Sequence, residues 1–313
     1  MKLALCTDVL ADLALPQMLD RVKQYGINGV ELTAGGWSPC PHVDREALLA
    51  SPEKLARFCY ELSSRDMTIV ALNCSGNPLA PGALGEAHTR SSYRTVELAA
   101  RLGVKKIVMM SGLPGGGPQD RVPNWITSTV SWPDYMPGVI DYQWREVAIP
   151  WWQKFVRHAQ QHGIEQIALE AFPCQLVYNP STLLRLREAV DEMIGINLDP
   201  SHLIAMGADP IAAVRRLEGA IFHVHGKDAR IERGRADVDG LMEYQPVTAT
   251  KTRAWNYVAV GCGQDLRWWK EFFSVLRICG YNGDVALEME DLTMSVEAGL
   301  RTSVDALNAC LSQ

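Results

Sequence analysis

The sequence predicts an α/β protein built as one (β/α)8 barrel, with long loops after strands four and seven. Three observations predict it. Short apolar runs alternate with amphipathic helical stretches along the whole chain, which implies parallel strands joined by right-handed crossovers. Eight such units fit into the 313 residues, the number that closes a barrel. The stretch after the first run, through Asp12, holds no glycine, whereas an open doubly wound sheet usually carries a glycine fingerprint there.

The first strand covers Leu3 to Cys6 and ends at Thr7-Asp8. A helix follows through Leu15, Met18, Leu19 and Val22, and Gly26 stops it. Gly29 to Thr33 is the second strand, Pro52 to Arg65 a helix, and Met67 to Asn73 the third strand. The loop from Cys74 to Pro81 is dense in turn residues. A helix over Glu86 to Leu102 leads into the fourth strand, Lys105 to Ser111. From Gly112 to about Tyr142 the rhythm breaks into a proline-rich stretch with three consecutive glycines, Trp125 and Trp132. A loop this long inside a compact domain is functional or disordered, and its aromatic content favours an ordered lid.

The alternation then resumes. A helix over Trp144 to His162 precedes strand five, Gln166 to Glu170. A helix over Ser181 to Val190 precedes strand six, Gly195 to Asp199. Ile211 to Leu217 is helical, and Ile221 to His225 is strand seven. A second excursion runs from Ala229 to Gly263, followed by a helix to Cys279 and strand eight, Asp284 to Glu288. The helix Val296 to Leu311 completes a single domain over residues 1–313.

Composition narrows the function classes. A net charge of −6 opposes a nucleic-acid or anionic-membrane surface, which needs a concentrated basic stripe. The eight cysteines are scattered without a C-x-x-C pair and read as reduced core residues rather than a disulfide framework or zinc knuckle. The first apolar run meets Asp8 too soon for a signal peptide, and no stretch reaches the length of a membrane span. The expectation is a soluble, cytoplasmic protein acting on a small molecule.

In a barrel the C-terminal strand ends converge on one mouth. Strands five to eight bring Glu170, Asp199, His225 and Glu288 there. Three carboxylates and an imidazole suit a divalent ion that favours oxygen donors, Mn²⁺, Mg²⁺ or Co²⁺. Each residue alone reads as a solvated charge, but four successive strands ending in ligand types is a pattern. His223 faces the same side of its strand as His225, so either imidazole fits, and the position nearer the loop favours His225.

Further residues at the mouth are candidates for substrate contacts. His202 follows in Asp199-Pro-Ser-His202, where its plain alternative is a turn cap. Lys227 is placed for a substrate hydroxyl, carbonyl or phosphate, or for a surface pair with Asp228. Glu31 within strand two and Asn73 at the end of strand three are further candidates. Trp125, with Trp37, Trp132 and Trp255, lies in loops, and an aromatic face matches the C–H face of a sugar ring. Trp151, Trp152, Trp268 and Trp269 sit at helical spacing and read as packing, while His42, His88, His158 and His162 read as solvated. The Gly112 to Pro118 stretch lacks the Gly-Lys-Ser/Thr of a phosphate loop.

The stretches Gly29-Val-Glu31-Leu, Ile167-Ala-Leu-Glu170, Asn197-Leu-Asp199-Pro-Ser-His202, His223-Val-His225-Gly-Lys227-Asp228 and Ala286-Leu-Glu288 together resemble the sugar phosphate isomerase/epimerase family. This belongs to the xylose-isomerase-like TIM-barrel superfamily, with relatives among ketose 3-epimerases and the large subunits of C-glycoside deglycosidases. The resemblance implies that Glu170 and Glu288 are metal-bound catalytic glutamates flanking the substrate carbon. Asp199 and His225 would complete the ligand set, with His202 near the substrate oxygens and Mn²⁺ as the ion. It implies a keto-sugar isomerase or epimerase, or alternatively a lyase that cleaves a 3-oxo-glycoside through the same enolate. A homo-oligomer is expected, or a hetero-oligomer with a small subunit for the lyase. Two departures stand out: no arginine directly matches the one epimerases carry after the ligand histidine, where Lys227 or Arg230 lies nearest, and the two excursions are longer. An endonuclease of the same superfamily would need histidines at strand ends two to four, where this chain has Glu31, Asn73 and Met110 or Ser111. A non-catalytic binding barrel predicts no bound metal.

Overall fold

Eight parallel strands close on themselves in a computed structural model that describes residues 1–127 and 135–311. The barrel strands are β1 (Lys2–Cys6), β2 (Gly29–Thr33), β3 (Thr68–Asn73), β4 (Lys106–Met110), β5 (Gln166–Glu170), β6 (Ile194–Leu198) and β7 (Ile221–Gly226). A ribbon of β8 (Asp228–Ile231) and β9 (Trp255–Val258) intervenes, and β10 (Asp284–Leu287) then pairs with both β7 and β1. Leu5 lies opposite Leu287 at the closing seam, Glu170 opposite Asn197, and His225 opposite Ala286. All five residues of β6 are buried, because a barrel strand packs on side chains within and helices without. The sequence places all eight barrel strands to within a residue or two.

The outer layer comprises α1 (Leu15–Gln24), α2 (Arg45–Ala50), α3 (Pro52–Ser63), α4 (Ala83–Leu102), α5 (Tyr135–Asp141) and α6 (Ile149–Gln161). It continues with α7 (Pro180–Val190), α8 (Pro200–Ala205), α9 (Pro210–Arg216), α10 (Arg233–Asp239), α11 (Leu266–Ile278) and α12 (Val296–Leu311). Starts are encoded locally: the side chains of Ser51, Asn179, Asp199 and Asp209 each accept a backbone N–H, and proline opens the helix behind each. Such caps satisfy amides that lack intrahelical partners. At the other end of α4, Gly103 takes the left-handed conformation, φ 69°, which needs no Cβ relief in glycine. Trp152 and Phe155 of α6 and Trp269, Phe272 and Phe273 of α11 are fully buried against the barrel, about 1.5–3 kcal/mol apiece for large apolar side chains. No helix among the described residues is long and apolar enough to cross a membrane.

Three parts differ from the sequence expectation. The helix read over Trp144 to His162 starts earlier, with α5 and a π-helical turn at Tyr142–Ala148 preceding α6. The turn after Asp199 is a short helix, α8, capped by Asp199 itself. The excursion from Ala229 is not a plain loop, since it folds back as the antiparallel β8–β9 ribbon, pairing Arg230 with Asn256. His42 and His88 are also not solvated. His42 is buried with Nδ1 at 3.1 Å from Thr7 Oγ1, and His88 Nδ1 accepts from Asn77 N–H at 2.8 Å. Each is held as a hydrogen-bonded packing residue.

Candidate metal centre

Glu170 is the last residue of β5, and Asp199 and Glu288 directly follow β6 and β10. His225 lies near the end of β7. One ligand atom from each of these four lies within 4.8 Å of the others. His225 Nδ1 is the hub, 3.2 Å from Glu288 Oε2, 3.7 Å from Asp199 Oδ2 and 4.0 Å from Glu170 Oε1. Asp199 is aimed by its capping role: Oδ1 accepts from Ser201 N–H at 2.8 Å and Ser201 Oγ–H at 2.6 Å. Its Oδ2 is left facing the cluster.

Two of these buried atoms, Asp199 Oδ2 and His225 Nδ1, lack a hydrogen-bond partner. Buried polar atoms are rarely orphaned unless something else satisfies them. A lone-pair nitrogen and a carboxylate oxygen aimed at one point, with two further carboxylates, are what a divalent cation takes. The residues present fit such an ion.

The far side of His225 is equally organised. Nε2 lies 3.2 Å from Glu31 Oε2 and 3.1 Å from Asn197 Nδ2, so Nδ1 is the nitrogen that faces the cluster. Glu31 also accepts from His223 Nε2 at 2.8 Å and from Asn73 Nδ2 at 2.7 Å. His223 therefore points away from the cluster and buttresses its neighbour. Burial alone would raise the Glu31 carboxyl, but His225 and His223 outweigh it and hold it well below the usual range. Burial pushes His223 down to about 4, against the pull of Glu31, so its ring is neutral. For His225 burial is likewise overcome: Cys6, Glu31 and Glu288 hold its pKa well above the usual imidazole value.

His202 of α8 stands behind Glu170. Its Nε2 lies 2.7 Å from Glu170 Oε1 and 3.2 Å from Asp199 Oδ2, and Nδ1 is 2.9 Å from the Tyr257 hydroxyl. Although burial opposes the charge, Asp199 and Glu170 raise its pKa to about 9, so both ring nitrogens carry protons near neutrality. Lys227 is almost fully buried, with Nζ 2.9 Å from Glu288, 2.6 Å from Glu290 and 4.4 Å from the Tyr257 ring centroid. Burial would raise the Glu288 carboxyl, yet Lys227 and His225 bring it down to about 2.

The centre opens into a cleft of about 690 Å³ whose walls include Glu170, Glu288, Lys227, Asn73, Trp37 and Trp255. Three sequence-based placements need correction. Glu31 is 1% exposed and does not line the cleft; it braces two histidines from below. His202 is fully buried beside Glu170 and does not line the cleft either. Trp125 lies away from the cleft wall, its ring edge against Tyr178 at 5.5 Å between centroids. Trp132 lies outside the described residues. Trp255, expected in a loop, belongs to β9.

Sequence reasoning missed Tyr257, Glu290 and the anchoring of the ribbon. Tyr257 belongs to Trp255-Asn-Tyr-Val258, an aromatic and β-branched run whose strand character is the signal that finds it. Asp228 is buried and accepts from the backbone N–H groups of Ala229, Gly261, Gly263 and Gln264, and from Trp269 Nε1–H. Only glycine fits at 263, where a Cβ would meet Ala229 O at 2.4 Å. Asp228 thus locks the return of the ribbon that delivers Tyr257.

Comparison with known proteins places this geometry. The "Uncharacterized protein YfiH" of Bacillus subtilis (strain 168) is 59% identical over 313 residues, covering 100% of both chains. A crystal structure of the probable 3-DHS dehydratase AsbF from Bacillus anthracis is 19% identical with a TM-score of 0.69, covering 98% of this chain and 99% of that one. Another, of IOLI protein with a binding zinc atom, is 18% identical with a TM-score of 0.67 over 100% of both chains. At such identities the two structures share the fold with this chain. The model of the family described as xylose isomerase-like TIM barrel matches residues 19–310, so the chain belongs to the xylose isomerase-like TIM-barrel family.

Proposed function

We propose that the protein is a divalent-metal-dependent isomerase or epimerase of a keto-sugar or sugar derivative. The observation that carries this reading is the convergence of Glu170, Asp199, His225 and Glu288, with two orphaned ligand atoms facing one another. The oxygen-rich donor set favours Mn²⁺, with Mg²⁺ or Co²⁺ as alternatives; a zinc atom is bound in the IOLI protein of the same fold. Glu170, Asp199, His225 and Glu288 would hold such an ion, which would supply Lewis-acid polarisation of the substrate carbonyl.

The protein's own groups handle the proton. Glu170 and Glu288 both border the cleft, so one carboxylate removes the proton from the carbon beside the carbonyl. The other, having taken up a proton from solvent, delivers it to the opposite face for epimerisation or to the adjacent carbon for isomerisation, and the first gives its proton back to solvent. Each has a cationic neighbour, His202 at 2.7 Å from Glu170 and Lys227 at 2.9 Å from Glu288. Lys227 favours the ionised form of Glu288, and His202 orients Glu170 through its hydrogen bond. Trp37 and Trp255 on the cleft wall offer flat apolar faces to a sugar ring.

A second reading, a lyase cleaving a 3-oxo-glycoside, is favoured by the size of the cleft. At about 690 Å³ it falls within the range of roughly 300–1,000 Å³ that holds drug-sized ligands, more than a free hexose fills. Incubation with Mn²⁺ and keto-sugars in D₂O separates the two. Solvent deuterium in a rearranged sugar supports the isomerase or epimerase, and release of an aglycone supports the lyase. Neither product with any keto-sugar or 3-oxo-glycoside contradicts both.

A further inference from the structure

Arg253, just before β9, is a charged side chain only 3% exposed with most of its hydrogen-bonding capacity unspent. Its Nε–H donates to Glu243 Oε1 at 3.0 Å, and the other Glu243 oxygen is fixed by Ala254 N–H at 2.9 Å. The guanidinium lies 3.8 Å from the centroid of the Trp255 ring, so stacking sets its plane. Neither terminal amino group hydrogen-bonds within the protein among the described residues. Glu243 meets the charge of Arg253, and its terminal amino groups are not among the buried atoms that lack a partner, so they are open to the cleft. The guanidinium is pre-oriented, and its open fork suits a planar or tetrahedral oxyanion.

Its position says whose oxyanion. Arg253 forms part of the wall of the cleft that contains Glu170 and Glu288, and also of an adjoining cavity of about 450 Å³. The adjoining cavity is lined by Arg230, Arg235 and Lys251 as well, against the single carboxylate of Glu232. Arg230 pairs with Glu232 at 2.8 Å and Arg235 with Asp239 at 3.9 Å, while Lys251 has no ion-pair partner among the described residues. In a chain with 36 acidic and 30 basic side chains, that concentration of cations is local. The metal end of the cleft is the reverse: Asp8, Glu170, Glu288 and Glu290 line it, with Lys227 already paired. Besides Arg253, paired through Nε with Glu243, the cations that line the adjoining cavity gather at the Arg253 end of the cleft and attract an anion there.

We infer that the substrate carries an anionic group, a carboxylate or a phosphate, gripped by Arg253 where the two cavities meet. This rests on the proposed reaction and deepens it: the substrate is an acidic keto-sugar derivative that lies with its carbonyl at the metal centre and its anion on the guanidinium. The specificity of the site is then set by the β8–β9 excursion rather than by the barrel.

The test is calorimetric titration of the full-length chain, treated with chelator so that no metal draws the anion, with inorganic phosphate and separately with D-gluconate. One of the two binds, and the tighter one identifies the oxyanion. Arg253→Gln weakens that binding by at least about 10-fold, the worth of a charge-assisted hydrogen bond. Arg253→Lys, which keeps charge and stem but not the fork, weakens it less. Mn²⁺ affinity and melting temperature of Arg253→Lys match the wild type, so this variant carries the test if Arg253→Gln fails to fold. Binding of neither anion, or equal affinity in both variants and the wild type, overturns the assignment. If that happens while the wild type still takes up Mn²⁺ and exchanges deuterium into a keto-sugar, only the Arg253 assignment is lost. Absence of Mn²⁺ uptake in the wild type would instead remove the reaction on which it rests.

Discussion

Glu31 Oε2 lies 3.2 Å from His225 Nε2, on the side of the imidazole opposite the metal-ligand cluster. Nε2 faces this carboxylate and Asn197 Nδ2 at 3.1 Å, so Nδ1 is the nitrogen turned toward Glu170, Asp199 and Glu288. Outer carboxylates of this kind orient a ligand histidine and raise its basicity, and losing one typically costs 10–100-fold in metal affinity. Glu31→Gln should therefore weaken Mn²⁺ binding by about that factor, measured by the fluorescence or magnetic resonance of free Mn²⁺. It should leave the barrel folded. An affinity equal to wild type would show that Glu31 only packs.

Metal uptake should release protons. In the free protein the surrounding carboxylates hold the His225 pKa well above the usual imidazole value, so near neutrality Nδ1 is protonated. An incoming cation must displace that proton. Apparent affinity then rises with pH, by up to about tenfold per unit while His225 alone exchanges its proton, and levels off above its pKa. Titration in two buffers of different ionisation enthalpy reads the released proton directly. An affinity that is flat from pH 6 to 9 contradicts the assignment of His225 as ligand.

Tyr257 meets His202 Nδ1 at 2.9 Å, while the opposite ring nitrogen meets Glu170 at 2.7 Å. Tyr257→Phe removes one hydroxyl from a buried pair and leaves an N–H without an acceptor, a cost of about 1–3 kcal/mol. The expected result is a fall in kcat of about 10-fold or more with Mn²⁺ affinity unchanged and a shifted acid limb in the pH–rate profile. If kcat and its pH profile stay as in the wild type, Tyr257 serves packing alone.

The barrel and the convergence of the four candidate ligands were legible because both depend on strand ends. A parallel barrel sends every strand's C-terminus to one mouth, so Glu170, Asp199, His225 and Glu288 could be grouped without knowing a single side-chain torsion. Depth was not legible. Glu31 and His202 sit at the same rim in sequence terms, yet their partners turn them below and behind the centre rather than into the cleft. The residues of the β8–β9 excursion were hidden for a different reason. Its pairing is antiparallel and local, outside the repeating strand–helix rhythm, and its position depends on a single buried anchor, Asp228.

That anchor makes a stability prediction. Asp228→Ala leaves up to five donors, four backbone amides and the Trp269 indole, without their acceptor. The loss should be about 3–5 kcal/mol, read by denaturant unfolding. Proteolysis should cut first within the excursion, between Ala229 and Gly263. A variant as stable as wild type would mean that water replaces the carboxylate at no cost.

The central claim is that four strand-end residues hold one catalytic divalent ion. Equilibrium titration of Mn²⁺ into chelator-treated wild-type protein and Asp199→Ala tests it most directly. The wild type should bind one ion per chain. Asp199→Ala should bind it at least about 100-fold more weakly, the scale of losing a direct ligand when an outer carboxylate alone is worth about 10–100-fold. No stoichiometric uptake by the wild type, or equal uptake by Asp199→Ala, would contradict it.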